Sequence, residues 1–219
     1  MKKVAVIISG HMRTINQCWQ SWIEYSKKND WDCDYYLHTY QNIGSHFGND
    51  RTPKNIKEVE KYIKMINPKN FVITDDNINV TGFINKNFLK QYKNLQTAYN
   101  LIPNQSYDLY VRTRYDLFFS EVDLIENVNN GEIVSLNCFY NGNLRKFNPK
   151  NVIYKCPEKL FCDFFTVMSS KNIADKFFNI YDDLKTTKNH HLEDFFYKRI
   201  LEYGFSHRKI NSDILTFLL

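Results

Sequence analysis

Tyr107-Asp108-Leu109-Tyr110-Val111-Arg112-Thr113-Arg114-Tyr115-Asp116-Leu117-Phe118-Phe119-Ser120 is the stretch on which the reading of this chain turns. Leu109, Tyr110 and Val111 follow a polar Asn-Gln-Ser turn and read as the start of a buried strand. Leu117 to Phe119 is a second apolar run. Between the two lie Arg112, Arg114 and Asp116, and charges of this kind do not belong in a core unless something pairs with them. In an α/β sheet, such a break just beyond the carboxyl end of a strand is where a ligand usually sits. Two guanidiniums suit a diphosphate, since each grips oxygens in a planar fork. An aspartate beside a diphosphate suits a hard divalent cation. The plainer alternative is a structural Arg–Asp pair that closes the strand end.

Upstream the pattern is regular. Val4 to Ile8 is a continuous apolar run, as expected of a strand covered on both faces. Ser9-Gly10-His11-Met12-Arg13-Thr14 turns the chain. Ile15, Cys18, Trp19, Trp22, Ile23 and Ser26 then recur at helical spacing. Strand, short polar turn and helix aim free backbone N–H groups at an anion, with His11 and Arg13 as further donors. The single glycine excludes a dinucleotide fingerprint and a P-loop; an ordinary βα turn remains the other reading.

Asp34 to Thr39 is a second strand, with His38 either lining the same cleft or satisfied in the interior. Gln41 to Asn55 reads as a loop of the length often found in lids. Ile56, Val59, Tyr62, Ile63 and Ile66 mark a helix stopped by Asn67-Pro68. Phe71 to Thr74 is a third strand, and Asp75-Asp76 after it is either a metal pair or a solvated turn. Phe88, Tyr92, Leu95, Tyr99 and Ile102 form a helix ended by Pro103. The order βα-βα-βα-β implies parallel strands with helical crossovers.

The second half is less regular. Glu132–Leu136 and Val152–Tyr154 read as short strands, and Phe164–Met168 is a further apolar run. Asn141 to Asn151 is polar and basic, and reaches over a substrate in this reading. Helices are expected around Ile173–Tyr181 and His190–Tyr203. No linker, repeat or composition break divides the chain. Residues 1–219 therefore read as one domain with a nucleotide-binding half, 1–120, and an acceptor-side half, 121–219.

The totals agree with an α/β domain. A chain of 219 residues is long enough for one well-buried core and short for two. Aromatics make up 16% of the residues, so the core is expected to be rich in Phe and Tyr. A net charge of +5 favours an anionic ligand, and no Lys/Arg run of nucleic-acid-arm length accompanies it. The five cysteines, Cys18, Cys33, Cys138, Cys156 and Cys162, are dispersed without a Cys-x-x-Cys pair; they read as packed thiols of a reduced protein rather than a zinc site. The apolar run at the start is too short for a signal peptide, and no stretch approaches the roughly 18 apolar residues of a membrane span. A cytoplasmic protein is expected.

Taken together, Ile7-Ile8-Ser9-Gly10-His11-Met12-Arg13-Thr14, His38-Thr39, Gln91-Tyr92-Lys93, Tyr107-Asp108 and Val111-Arg112-Thr113-Arg114-Tyr115-Asp116 make the chain resemble the small GT-A-type glycosyltransferases of large DNA viruses and bacteria. The resemblance spans most of residues 1–120. It implies a single-domain GT-A-like fold, a Rossmann-like mixed sheet flanked by helices. It also implies sugar transfer from a nucleotide-sugar donor, commonly a UDP-sugar, to a glycan or glycoprotein acceptor, with Mn2+ or Mg2+ held by an Asp-x-Asp motif. Asp116 stands at the last position of that motif and is the expected metal ligand; Arg114 stands at the first, which puts the metal in question. Ser9, Gly10, His11, Arg13, Thr14, His38, Thr39, Arg112 and Arg114 are the expected nucleotide-binding residues. The resemblance further implies a catalytic base in an x-Glu-Asp sequence at a helix start, which Leu192-Glu193-Asp194 fits. The alternative is that Glu193 and Asp194 simply complement the helix dipole.

Overall fold

A computed structural model describes residues 1–43, 55–75, 80–82, 84–136, 138–142, 154–155, 164–188, 192–210 and 212–217. The expected loop tip after Tyr40, Asp76, most of the basic 141–151 segment, Val152, His190 and His191 fall outside them, as does the side chain of Glu193.

The first half folds as its periodicity dictates. β1 (Lys2–Gly10), β2 (Trp31–Tyr40), β3 (Asn70–Thr74) and β4 (Leu109–Thr113) are parallel, and β1 lies between β2 and β4. Val4 to Ile8 are at most 1% exposed, which is why that run carries no polar alternation. α1 (Ile15–Lys28), α2 (Ile56–Ile66) and α3 (Lys86–Tyr99) are the crossovers. Asn55 caps α2 by accepting from the Glu58 N–H, and Asn67 ends it in the left-handed region at φ 53°.

Downstream, β5 (Leu117–Val122), β6 (Glu132–Leu136), β7 (Cys138–Gly142), β8 (Tyr154–Lys155) and β9 (Thr166–Met168) precede α4 (Lys171–Phe178), α5 (Tyr181–Thr186) and α6 (Leu192–Glu202). β10 (Ser206–Ile210) and β11 (Ser212–Phe217), not apparent from the sequence, follow. The main sheet has seven strands in the order β10-β6-β9-β4-β1-β2-β3. β9 runs antiparallel to both β4 and β6, so the sheet is mixed, as expected of a Rossmann-like layer. A second sheet has the order β5-β11-β7-β8. The focal stretch is thus two strands: the chain leaves the main sheet after Thr113 and enters the second at Leu117.

Helices cover both faces of the main sheet. α1 and α2 contribute Trp22, Tyr25, Val59 and Ile63 to one core, and α3 to α6 contribute Tyr92, Leu95, Phe177 and Phe196 to the other. α1 lies between the two sheets. Its Trp22 and Tyr25 rings sit 5.2 Å and 4.9 Å from Phe119 of β5, and Ser21 Oγ accepts from the Phe119 N–H at 3.0 Å. Trp22 also donates from Nε1 to the Tyr35 hydroxyl, at 3.3 Å. No helix among the described residues is long and apolar enough to cross a membrane.

Trp22 therefore joins three layers. Trp22→Ala is expected to lower the unfolding free energy by about 3–5 kcal/mol, measured by urea denaturation. Phe88→Ala, at a side chain that is 43% exposed, is expected to change it by less than about 0.5 kcal/mol.

Candidate functional site

Two turns meet at the carboxyl ends of the central strands β1 and β4. β1 ends at Gly10, whose φ of +126° is one that side-chain-bearing residues rarely adopt. The chain can therefore swing sharply into His11 to Thr14 and deliver Arg13 over the sheet. β4 ends at Thr113, and Arg114-Tyr115-Asp116 carries the chain across to β5. Tyr115 pins this crossing: it is 4% exposed and donates from its hydroxyl to the His38 carbonyl at 3.2 Å.

The charged residues on either side of Tyr115 face each other. Arg114 donates from Nε to Asp116 Oδ1 at 2.8 Å and from Nη2 to Oδ2 at 2.6 Å, a two-pronged pair. Its guanidinium also lies 4.6 Å from the centre of the Phe164 ring. Arg13 reaches the same carboxylate from the β1 turn, with Nη2 3.7 Å from Oδ2. The side chains of Arg13 and Arg114 are 22% and 20% exposed, that of Asp116 only 7%. Two cations from different strand ends thus converge on one oxygen in a partly buried cluster, where screening is weaker than at an open surface.

Arg112 does not join them. It lies inside β4 opposite Ile7, is 1% exposed, and extends beneath α3 with its guanidinium 5.3 Å from the Tyr92 ring centre. Strand alternation ends at Thr113, so Arg112 and Arg114, two residues apart, take different environments.

His38 and Thr39, near the end of β2, are fully buried. His38 Nε2 is 2.9 Å from Thr74 Oγ1. Burial, with His11 nearby, pulls its pKa down to about 4, so near neutrality it is an uncharged imidazole. His11 stacks on Tyr40 with ring centres 4.3 Å apart. Thr14 stands at the start of α1, buried, without a side-chain capping bond. Below it, burial and then the Asp116 charge push the Cys18 thiol up to about 12, and burial pushes Cys33 to about 12 as well. Cys18 and Cys33 are thus packed, inert thiols.

The described residues do not by themselves form a cage for a divalent cation. Both Asp116 oxygens are taken by Arg114, and among the described residues no group of three or more His, Cys, Asp or Glu side chains is placed to hold a metal ion. Asp194, expected as a base, lies in the first turn of α6 and pairs with Lys198 at 2.7 Å, an i,i+4 ion pair along the helix surface. The residues the sequence did not single out are Tyr115 and Phe164, which hold the Asp116 turn and the Arg114 fork; Tyr115 stood between the charged residues, and Phe164 is brought in only by the fold.

No family model matches the chain, and no curated protein does. Solved structures with a similar chain path include three nucleotide enzymes. A nucleoside-diphosphate-sugar pyrophosphorylase from Vibrio cholerae is 10% identical, with a TM-score of 0.47 over 97% of this chain and 92% of its own. A structure described as a glucose-1-phosphate thymidylyltransferase from Bacillus anthracis is 12% identical, with a TM-score of 0.49 over 97% and 88%. The inositol-1-phosphate CTP transferase of T. maritima is 11% identical, with a TM-score of 0.48 over 99% and 89%. The fold expected from the sequence, a Rossmann-like mixed sheet between helices, is the one found. The expectation of glycosyl transfer to a glycan is corrected: the similar folds are named for nucleotidyl chemistry, and the carboxylate that was to hold the donor's metal is clasped by Arg114.

The buried imidazole sets a pH signature. His38 has a folded pKa below its ordinary value of 6.5, so the unfolded chain takes up its proton first. The neutral form's contribution is complete above pH 6.5 and is lost as pH falls towards 4. His207, pulled down to about 4 by burial, acts in the same direction. Replacing His38 by Gln is expected to remove about 2 kcal/mol of the fall in unfolding free energy between pH 7 and pH 4, read from urea titrations at each pH.

Proposed function

We propose that the chain is a nucleotide-dependent transferase that grips the diphosphate of its nucleotide, free or bearing a sugar, at the carboxyl ends of β1 and β4. The observation that carries this reading is the convergence of Arg13 and Arg114, from two different strand ends, on the single point marked by Asp116 Oδ2. A carboxylate oxygen held by two guanidiniums occupies the position that a phosphate oxygen takes in such a fork.

In this reading the backbone of Ser9 and Gly10 lines the near wall, and His11 borders the cluster beside Arg13. His38 and Thr39 are buried beside it without touching ligand. Charge builds on the diphosphate as a bond to it breaks, and the two guanidiniums stabilise that charge in place, with no reorganisation at the moment of reaction. The mild positive charge of the whole chain, +5, favours the approach of such a ligand. A divalent cation belongs to this reading only as a companion of the incoming phosphates, since the described residues do not form a cage for it.

UDP or inorganic pyrophosphate is expected to raise the melting temperature of the protein, because a ligand that binds only the folded state stabilises it. Arg13→Gln and Arg114→Gln are each expected to weaken UDP binding by about tenfold to a hundredfold by calorimetry, the loss of one charge-assisted contact. Lys198→Gln, on the outer face of α6, is expected to leave affinity unchanged. Equal affinity in wild type and both arginine variants would overturn the reading and leave the cluster as a structural clasp of the β4–β5 turn.

A further inference from the structure

We infer that Asp116 is an internal competitor of the phosphate ligand: its carboxylate holds the place of a phosphate on Arg114 and Arg13, and binding proceeds by exchanging one anion for the other. The inference rests on the phosphate reading of the site and adds what keeps that site closed when no ligand is present.

Three observations carry it. The Arg114–Asp116 contact uses both oxygens and two guanidinium nitrogens, so the fork that would take a phosphate is already filled. Arg13, which comes from another strand end, is aimed at the same Oδ2 at 3.7 Å, although Asp116 is satisfied without it. The pair is also local. Its members flank Tyr115, whose buried ring and hydroxyl bond to the His38 carbonyl fix the backbone between them. Breaking the pair therefore requires rotation of side chains and no movement of either sheet. Arg114 keeps its contact with the Phe164 ring as a pivot on one side.

Charge decides the exchange. Arg13, Arg114 and Asp116 together carry one net positive charge. A diphosphate brings more negative charge than one carboxylate and more oxygens for the two forks. It displaces Asp116, whereas a singly charged anion offers Arg114 nothing it lacks. The site should thus discriminate against monoanions such as acetate or chloride and admit di- and polyphosphates. Asp116 sets both affinity and selectivity.

The test is calorimetric titration of inorganic pyrophosphate into wild type and Asp116→Asn, in the presence of EDTA so that no metal intervenes. The exchange requires Asp116→Asn to bind pyrophosphate about fivefold or more tightly, and to respond to inorganic sulfate at concentrations that leave wild type unaffected. Asp116→Ser serves as a second variant, and circular dichroism confirms the fold of each. The wild type alone gives an independent readout: the Arg114 Nε–H resonance should move on pyrophosphate addition as its acceptor changes from carboxylate to phosphate. Unchanged or weaker binding by both variants, with pyrophosphate still bound by wild type, would sink the exchange while leaving the phosphate site standing. Absence of pyrophosphate binding in wild type and variants alike would remove both.

Discussion

Three residues have to carry the chain from one sheet to another without exposing the core on either side. Arg114-Tyr115-Asp116 meets that constraint by burying the middle side chain and neutralising the outer two against each other. Tyr115 ties the turn to β2 through the His38 carbonyl. Arg13 ties it to β1. The crossing is fastened to the two strand ends around which the rest of the main sheet is laid, so the position of the second sheet follows from it. Burial of a tyrosine and mutual pairing of the charges offset the cost of placing three polar side chains where layers meet.

That economy also explains why a structural joint and a ligand site can coincide. The charges needed to close the turn are the charges a phosphate would use. An arginine already held by a neighbour two residues away has less side-chain freedom to lose when a ligand takes the neighbour's place. His38 and Thr39 are buried beside the cluster, and the ordering of the site depends on that packing as much as on the charges.

Local chemistry made much of this legible. The apolar run Val4–Ile8, the three-and-four spacing of Ile15, Cys18 and Trp22, and the stop at Asn67-Pro68 each encode an element without help from the rest of the chain. What the sequence hid depends on pairing at long range. Ser206-His207-Arg208-Lys209-Ile210 has one apolar residue in five; it is a strand because β6 lies beside it and because Arg208 meets the buried Glu132 carboxylate at 2.9 Å. Arg112 and Arg114 looked equivalent because both are arginines at strand spacing. Only the end of β4 at Thr113 shows that one enters the core and the other the turn. The helix expected across Ile173–Tyr181 is two helices, α4 and α5, broken at Asn179 and Ile180.

The two last strands have a consequence for how the molecule assembles. β10 edges the main sheet beside β6, and β11, only a residue further on, is threaded between β5 and β7. One short segment therefore sews both layers shut. The smaller layer has no central thread until Ser212–Phe217 has been made. During synthesis β5 and β7 must wait, with their inner edges open, for a partner that is made only at the very end of the described chain.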